Sequence, residues 1–397
     1  MKLSSLATRD PAVPTFNPPH QVPLVAASSF VFESIEQGMS IFDGSVPGHL
    51  YGRFGNPTVD AAAAKIAALE GYGLEEPGYG LFCASGMAAI ATTLIALCGP
   101  GSKILTHGDL YGGSSSLIDQ LAAQGIGRID ADIRNCEEVE DKLTEHPEIA
   151  VVYLETPSNP TLRCADLAYI ADLAHHYGAL LVVDNTFATP IIQQPLLLGA
   201  DIVVHSTTKY MNGHGTGIAG AIVCRDQEFF EEKLKPIYRL YGGSGNPWDA
   251  WLVLNGLKTL PLRMERHSDN ALRVAEHLLK HEHVARVHYP GLPDHTDCAT
   301  IGKQMKLHGG MLSFELKGGL EMGKRFMNQL KFCTLTPTLG DVDTLVLHPA
   351  TMSHRGIPRE IRLSHGITDA LIRLSVGIED VEDIIEDIDQ ALAATKA

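Results

Sequence analysis

Four short runs of branched apolar residues constrain this chain more than anything else in it. They are "AVVYLE" (150–155), "ALLVVD" (179–184), "DIVVHS" (201–206) and "AGAIVC" (219–224). Each is short for a helix, and none alternates with polar residues. Continuous Val, Ile and Leu at this length describe strands buried on both faces, as in a mostly parallel sheet covered by helices. Helical patterns such as "GSSSLIDQLAAQG" and "ADLAYIADLAHHYG" lie between strand-like runs, and "KILTH" (103–107) adds a further strand. The alternation predicts an α/β domain over residues 57–245. It opens on "NPTVDAAAAKIAALEGY", with Asn56 placed to cap a helix and Pro57 in its first turn.

A length of 397 residues suits two domains. After "GSGNPWDAW" the pattern changes. A long helical stretch runs through "AWLVLNGLKTLPLRMERHSDNALRVAEHLLKHE", succeeded by shorter segments such as "HGGMLSFELKGG" and a final amphipathic helix. Residues 246–397 are expected to form a smaller α+β domain. Residues 1–56, rich in Pro and polar side chains, read as an extended arm.

Charge and composition narrow the function classes. With 47 acidic against 31 basic residues the formal charge is −16, which disfavours a nucleic-acid partner. No Lys/Arg run suggests a membrane surface. The longest nearly apolar stretch, "GLFCASGMAAIATTLIALCG", is too interrupted by Ser, Gly and Thr to span a bilayer. The first twenty residues hold no apolar core of signal-peptide length, so a cytoplasmic location is expected. The seven cysteines are scattered without a CxxC pair, which reads as reduced thiols and no metal site.

In open α/β sheets, ligands gather beyond the carboxyl ends of the strands. Polar clusters fall at such ends: "ASGMAA", "HGDLYGG", "ETPSNP" (155–160), "DNTF" (184–187) and "HSTTKY" (205–210). Ser and Gly opening a helix present free amides to an anion, and Ser206 and Thr208 add hydroxyls. Lys209 stands just past one buried strand. Burial there would lower its pKa and make the amine a nucleophile able to form a Schiff base with a carbonyl. Asp184, at the end of another, is a carboxylate in need of a partner. A pyridoxal cofactor carries both an aldehyde for Lys209 and a ring nitrogen for Asp184. "GTGIAG" (215–220) matches a dinucleotide fingerprint, but a polar loop precedes it and the strand "AIVC" comes after, the reverse of what that motif needs.

These segments together resemble the Cys/Met-metabolism family of pyridoxal-phosphate (PLP) enzymes. The likeness runs in order through "YGRFGNPT", "ASGMAAI", "LYGG", "ETPSNPT", "VVDNTF", "HSTTKYMNGH", "GLKTLPLRMERH", "HPATMSH" and "LIRLSVGIED". It implies a PLP-dependent transferase fold of type I, with a mostly parallel seven-stranded sheet in the large domain. By the same resemblance Lys209 holds the cofactor aldehyde, Asp184 pairs with the ring nitrogen, and the amides of Gly86 and Met87 bind the phosphate with Ser206 and Thr208. Tyr51 and Arg53 would reach the phosphate of a neighbouring subunit, which implies a homotetramer built as a dimer of dimers. Tyr111 would stack on the ring and act in proton transfer, Asn159 would sit beside cofactor and substrate, and Arg373 would grip the substrate carboxylate.

Within the family, "LTPTLGDVDTL" is most like the methionine γ-lyases. Pro337 replaces the Glu of members that act on cystathionine, and Asp341 replaces a second Gly. The resemblance therefore implies α,γ-elimination of L-methionine or homocysteine to 2-oxobutyrate, ammonia and a thiol. γ-Replacement on an O-acylhomoserine comes second, and cystathionine lyase or synthase chemistry third. Three features depart from the methionine γ-lyase pattern. Gly113 stands where many such lyases have Cys, Thr338 stands at the usual Ser, and "GHGTGIAG" is closer to the sulfhydrylase form.

Overall fold

The computed structural model describes residues 1–11 and 17–396. Its larger sheet has seven strands, each as short as the sequence runs suggest: β1 (Tyr79–Cys83), β2 (Lys103–Thr106), β3 (Gly127–Asp130), β4 (Ile149–Glu155), β5 (Leu180–Asp184), β6 (Ile202–His205) and β7 (Gly220–Cys224). They lie in the order β1-β7-β6-β5-β4-β2-β3. Strands β3, β2, β4, β5 and β6 pair in parallel, and β7 alone runs against both its neighbours. The expected mostly parallel sheet is therefore present. Val182, Val183, Val203 and Val204 are fully buried. Each such side chain contributes roughly 1.5–3 kcal/mol relative to exposure, which is why the runs carry no polar alternation.

Five helices bear on the site and its surroundings: α1 (Leu3–Thr8), α2 (Ile35–Phe42), α3 (Pro57–Glu70), α4 (Gly86–Leu97) and α5 (Gly112–Leu121). Asn56 caps α3 as its sequence predicts, accepting from Thr58 N at 2.9 Å. One strand of this sheet escapes sequence reading: β3 ("GRID") is a partly exposed edge strand. β1 ("YGLFC") begins with Tyr and Gly, and only its end, before "ASGMAA", is marked in the sequence.

A second sheet has five strands: β8 (Val284–His288), β9 (Met311–Leu316), β10 (Thr334–Leu335), β11 (Leu345–Leu347) and β12 (Leu371–Ser375). Its order is β10-β11-β12-β9-β8. Helices Leu260–Leu279 and Val381–Ala393 pack their apolar faces on it through Ala271, Val274, Leu278, Ile384 and Ile388.

Two local expectations change. The long helical stretch after residue 250 is two helices, Pro247–Leu257 and Leu260–Leu279, because Pro261 cannot donate to the preceding turn. The first ten residues are not extended. α1 buries Ala7, and Asp10 bridges the ammonium of the buried Lys65 at 3.0 Å and that of Lys258 at 2.7 Å.

Candidate active site

A cavity of about 320 Å³ lies at the carboxyl ends of β4, β5 and β6, closed on its far side by residues around β12. Nine of the residues singled out in the sequence line it: Gly86, Met87, Tyr111, Asn159, Asp184, Ser206, Thr208, Lys209 and Arg373.

Lys209 lies in the turn after β6, with its N–H on Ser206 O at 3.2 Å and its carbonyl accepting from Gly213 N at 2.8 Å. Its Nζ donates to Thr338 Oγ1 at 2.9 Å. Gly340 lets that segment come so close: its φ is +83°, and a Cβ there would lie 2.7 Å from Tyr210 N. Burial, reinforced by the Arg373 charge, pushes the Lys209 ammonium down to about 8.

Asp184 ends β5 directly opposite Glu155 at the end of β4. Its Oδ1 accepts from Thr186 N at 2.9 Å. Burial holds both carboxyls above the ordinary range, and for Glu155 the neighbouring Asp184 adds to the effect.

Where α4 begins, Ser85 Oγ accepts from Ala88 N at 3.0 Å and Ser85 O accepts from Ala89 N at 3.1 Å. The first two helical amides, those of Gly86 and Met87, have no partner within the helix and stand at the cavity wall. A Cβ on Gly86 would lie 2.7 Å from Ser206 Cβ, so glycine is what lets the helix end approach β6. Among the described residues the Ser206 hydroxyl takes no hydrogen bond. The Thr208 hydroxyl, by contrast, is shared with Ala219, donating to its O at 3.1 Å and accepting from its N at 3.0 Å.

Arg373 comes from the second sheet, in the middle of β12 between β9 and β11. It is 4% exposed. Nη1 donates to Asn159 Oδ1 at 3.2 Å and Nη2 to Thr338 O at 3.0 Å, while the buried Nε has no partner among the described residues. Burial lowers its pKa to about 10 and leaves it cationic.

Tyr51 and Arg53 do not reach this cavity within their own chain. The Tyr51 ring is half exposed, and Arg53 donates to the Arg239 carbonyl while its guanidinium lies 4.5 Å from the Phe54 ring centroid. Sequence reasoning passed over Glu155, which lines the cavity with Thr186, Phe187 and Ser353. Its signal was its place at a strand end in "ETPSNP", the same position that marked Asp184. Among the described residues no group of three or more His, Cys, Asp or Glu is placed to hold a metal ion.

The donor set suits PLP. It offers a lysine of lowered pKa, a buried carboxylate, a helix N-terminus with a free hydroxyl beside it, and an orphaned guanidinium N–H for a second anion.

Comparison with known proteins agrees. The profile of the "Cys/Met metabolism PLP-dependent enzyme" family matches residues 13–393. An L-methionine gamma-lyase of Fusobacterium nucleatum is 44% identical over 94% of this chain and 93% of its own length. An O-succinylhomoserine sulfhydrylase of Pseudomonas aeruginosa is 38% identical over 94% of this chain and 91% of the relative. Among solved structures, a cystathionine gamma synthase from Xanthomonas oryzae pv. oryzae in complex with aminoacrylate and cysteine superposes with a TM-score of 0.92. That structure is 38% identical and covers 100% of this chain and 99% of its own.

Proposed function

The chain belongs to the Cys/Met metabolism PLP-dependent enzyme family, and from that premise we propose that it is a carbon–sulfur lyase of the methionine γ-lyase type. The reaction is L-methionine plus water to 2-oxobutyrate, ammonia and methanethiol, with homocysteine giving hydrogen sulfide. One observation carries the reading: Lys209, Asp184 and Arg373, from two different sheets, converge on one cavity whose remaining wall is largely apolar. Ile90, Pro157, Phe187, Ile218, Pro337 and Leu339 form that wall. It suits a methyl thioether better than a long side chain ending in charge.

Bound PLP supplies an aldehyde for the substrate amine and a ring that accepts the electron pair released at Cα. The residues do the rest. Lys209 would hold the cofactor at rest. Its amine, freed by the incoming substrate, would take the proton from Cα, hand it back to the substrate–cofactor pair, and only then take one from Cβ, work that its lowered pKa suits. Asp184 keeps the ring nitrogen protonated. The Gly86 and Met87 amides and the Ser206 hydroxyl hold the phosphate at the helix N-terminus. Arg373 pairs with the substrate carboxylate as a planar fork and fixes which Cα bond faces Lys209. Asn159 keeps the Arg373 fork aimed, and Thr338 steadies the lysine amine. As the Cγ–S bond breaks, its electrons leave on sulfur and the Tyr111 hydroxyl supplies the proton.

Tyr51 and Arg53 are proposed to complete the phosphate site of a second copy, giving shared active sites and a tetramer of two dimers. Exposed apolar side chains support this: Val31, Ile35, Met39 and Phe42 near α2, and Leu240, Tyr241 and Trp248 elsewhere. A cytoplasmic location is proposed, supported by the absence of a disulfide among the seven cysteines. No described helix is long and apolar enough to cross a membrane.

A second reading is γ-replacement on an O-acylhomoserine. The Gly-rich segment 213–220, similar to the sulfhydrylase form, contributes Ile218 to the cavity wall and favours it. Product analysis separates the two. 2-Oxobutyrate and methanethiol from PLP-loaded protein given L-methionine alone support the lyase. No turnover on methionine, with homocysteine formed from an O-acylhomoserine and sulfide, overturns it in favour of replacement.

A further inference from the structure

Tyr111 is held from two sides, and neither hold is explained by helix formation alone. It precedes α5 as the capping residue, yet its side chain makes no cap bond. The cap comes from another strand. Glu155 Oε2 accepts from Tyr111 N at 2.8 Å, and Glu155 Oε1 accepts from Ser114 Oγ at 2.9 Å. A carboxyl group at this end of α5 meets the exposed amides and the positive end of the helix dipole. Glu155 is 6% exposed and stays where β4 puts it, so it fixes the Tyr111 backbone to the sheet.

The ring is held differently. Tyr111 is 47% exposed, so burial does not fix it. A Cβ on Gly113 would lie 2.5 Å from Tyr111 Cε1, 3.2 Å from Cδ1 and 3.0 Å from Met87 Sδ. Gly113 lies within α5 and its φ is not in the left-handed region, so the backbone does not require glycine there. What meets it is the ring: in the placement this chain gives Tyr111, a Cβ at 113 would crowd the ring out of its position at the cavity.

We propose that Glu155 and Gly113 are positioning residues for Tyr111: Glu155 anchors its backbone, and the missing side chain at Gly113 leaves the slot that its ring fills. The inference rests on the reading of Tyr111 as the group that protonates the departing sulfur.

The test uses PLP-loaded Tyr111→Phe, Gly113→Ala, Glu155→Ala and Glu155→Gln, with amide exchange at Tyr111 measured on the cofactor-free proteins. Gly113→Ala is expected to lower kcat about 10- to 100-fold, the scale set by misplacing a reacting group. Its melting temperature should hold or rise, because alanine favours a helix over glycine. The Tyr111→Phe/Gly113→Ala double variant should be no slower than Tyr111→Phe. Glu155→Ala should speed exchange of the Tyr111 amide and lower kcat. Glu155→Gln, whose amide oxygen can still accept from Tyr111 N, should restore both. Wild-type kcat in Gly113→Ala, or an additive loss in the double variant, overturns the slot. Unchanged Tyr111 exchange in Glu155→Ala overturns the anchor. Full activity in Tyr111→Phe instead refutes the role given to Tyr111, and the exchange result then decides the anchor by itself.

Discussion

Lys209 Nζ and Thr338 Oγ1 are joined at 2.9 Å across the seam between the two sheets. One partner comes after β6 and the other precedes β11, so the lysine amine is held by a hydroxyl that the other part of the molecule delivers. The chemistry of this site leads to four expectations.

The first concerns Lys209 itself. Its ordinary value is 10.5, and in the fold burial brings it to about 8. Between those values the unfolded chain binds the extra proton, so this group makes the cofactor-free protein more stable as pH rises from 8 to 10.5. Below pH 8 the charged lysine costs at most about 3 kcal/mol. Lys209→Met should therefore be more stable than wild type at pH 7 without cofactor, with the gap closing by pH 10.5, and it should have no turnover. Denaturant melts at several pH values check this; a gap that ignores pH would refute the burial argument.

The second concerns the phosphate cradle. Gly86→Ala places a methyl group 2.7 Å from Ser206 Cβ and 3.0 Å from Ser206 Cα. Backbone must move there, at the point proposed for the phosphate. PLP affinity should fall at least tenfold, on the order of 1.4 kcal/mol, as read by dialysis and reconstitution. Unaltered PLP affinity would mean that the phosphate binds elsewhere.

The third concerns sharing between subunits. Arg53 lies outside its own chain's cavity. Arg53→Ala should weaken PLP retention in the assembled protein, and mixing it with Lys209→Ala should restore some activity, because hybrid dimers then contain one site with both residues intact. Activity counts on the mixture check it. No recovery, in subunits shown to exchange, would place Arg53 outside the partner's site.

The fourth concerns Arg373. Removing a buried guanidinium proposed to carry the substrate carboxylate should raise KM for L-methionine by 10- to 100-fold, about 1.4–3 kcal/mol, with PLP still bound. Arg373→Lys should recover little, since an ammonium lacks the planar fork. Steady-state kinetics decide between this role and a structural one, in which thermal stability would fall while KM stayed fixed.

Much of this site was legible because of one geometric fact. Parallel strands buried on both faces must be apolar until they end, so the first polar residue after each run marks the rim where ligands bind. Asp184 and Lys209 were visible for that reason. Glu155 has the same signature, yet its importance depends on β4 lying beside β5 and opposite Asp184, a pairing that no local pattern encodes. The Gly113 slot was invisible for a similar reason: a missing side chain has no meaning until the neighbouring ring is placed. The half-exposed β3 lacked the apolar run that betrayed its neighbours. The helix break near Pro261 was written in the sequence but masked by strong periodicity on both sides.

Arg373 reaches the cavity from the middle of β12, while the groups proposed to hold the ring and phosphate come from the larger sheet. On this reading, grip on the cofactor and grip on the substrate carboxylate come from different parts of the chain. A drift in how the second sheet leans on the first would weaken the hold on amino acids long before it loosened the cofactor. Variants with altered KM and unaltered cofactor retention should accordingly be sought along the contact between the sheets, at positions that touch neither ligand.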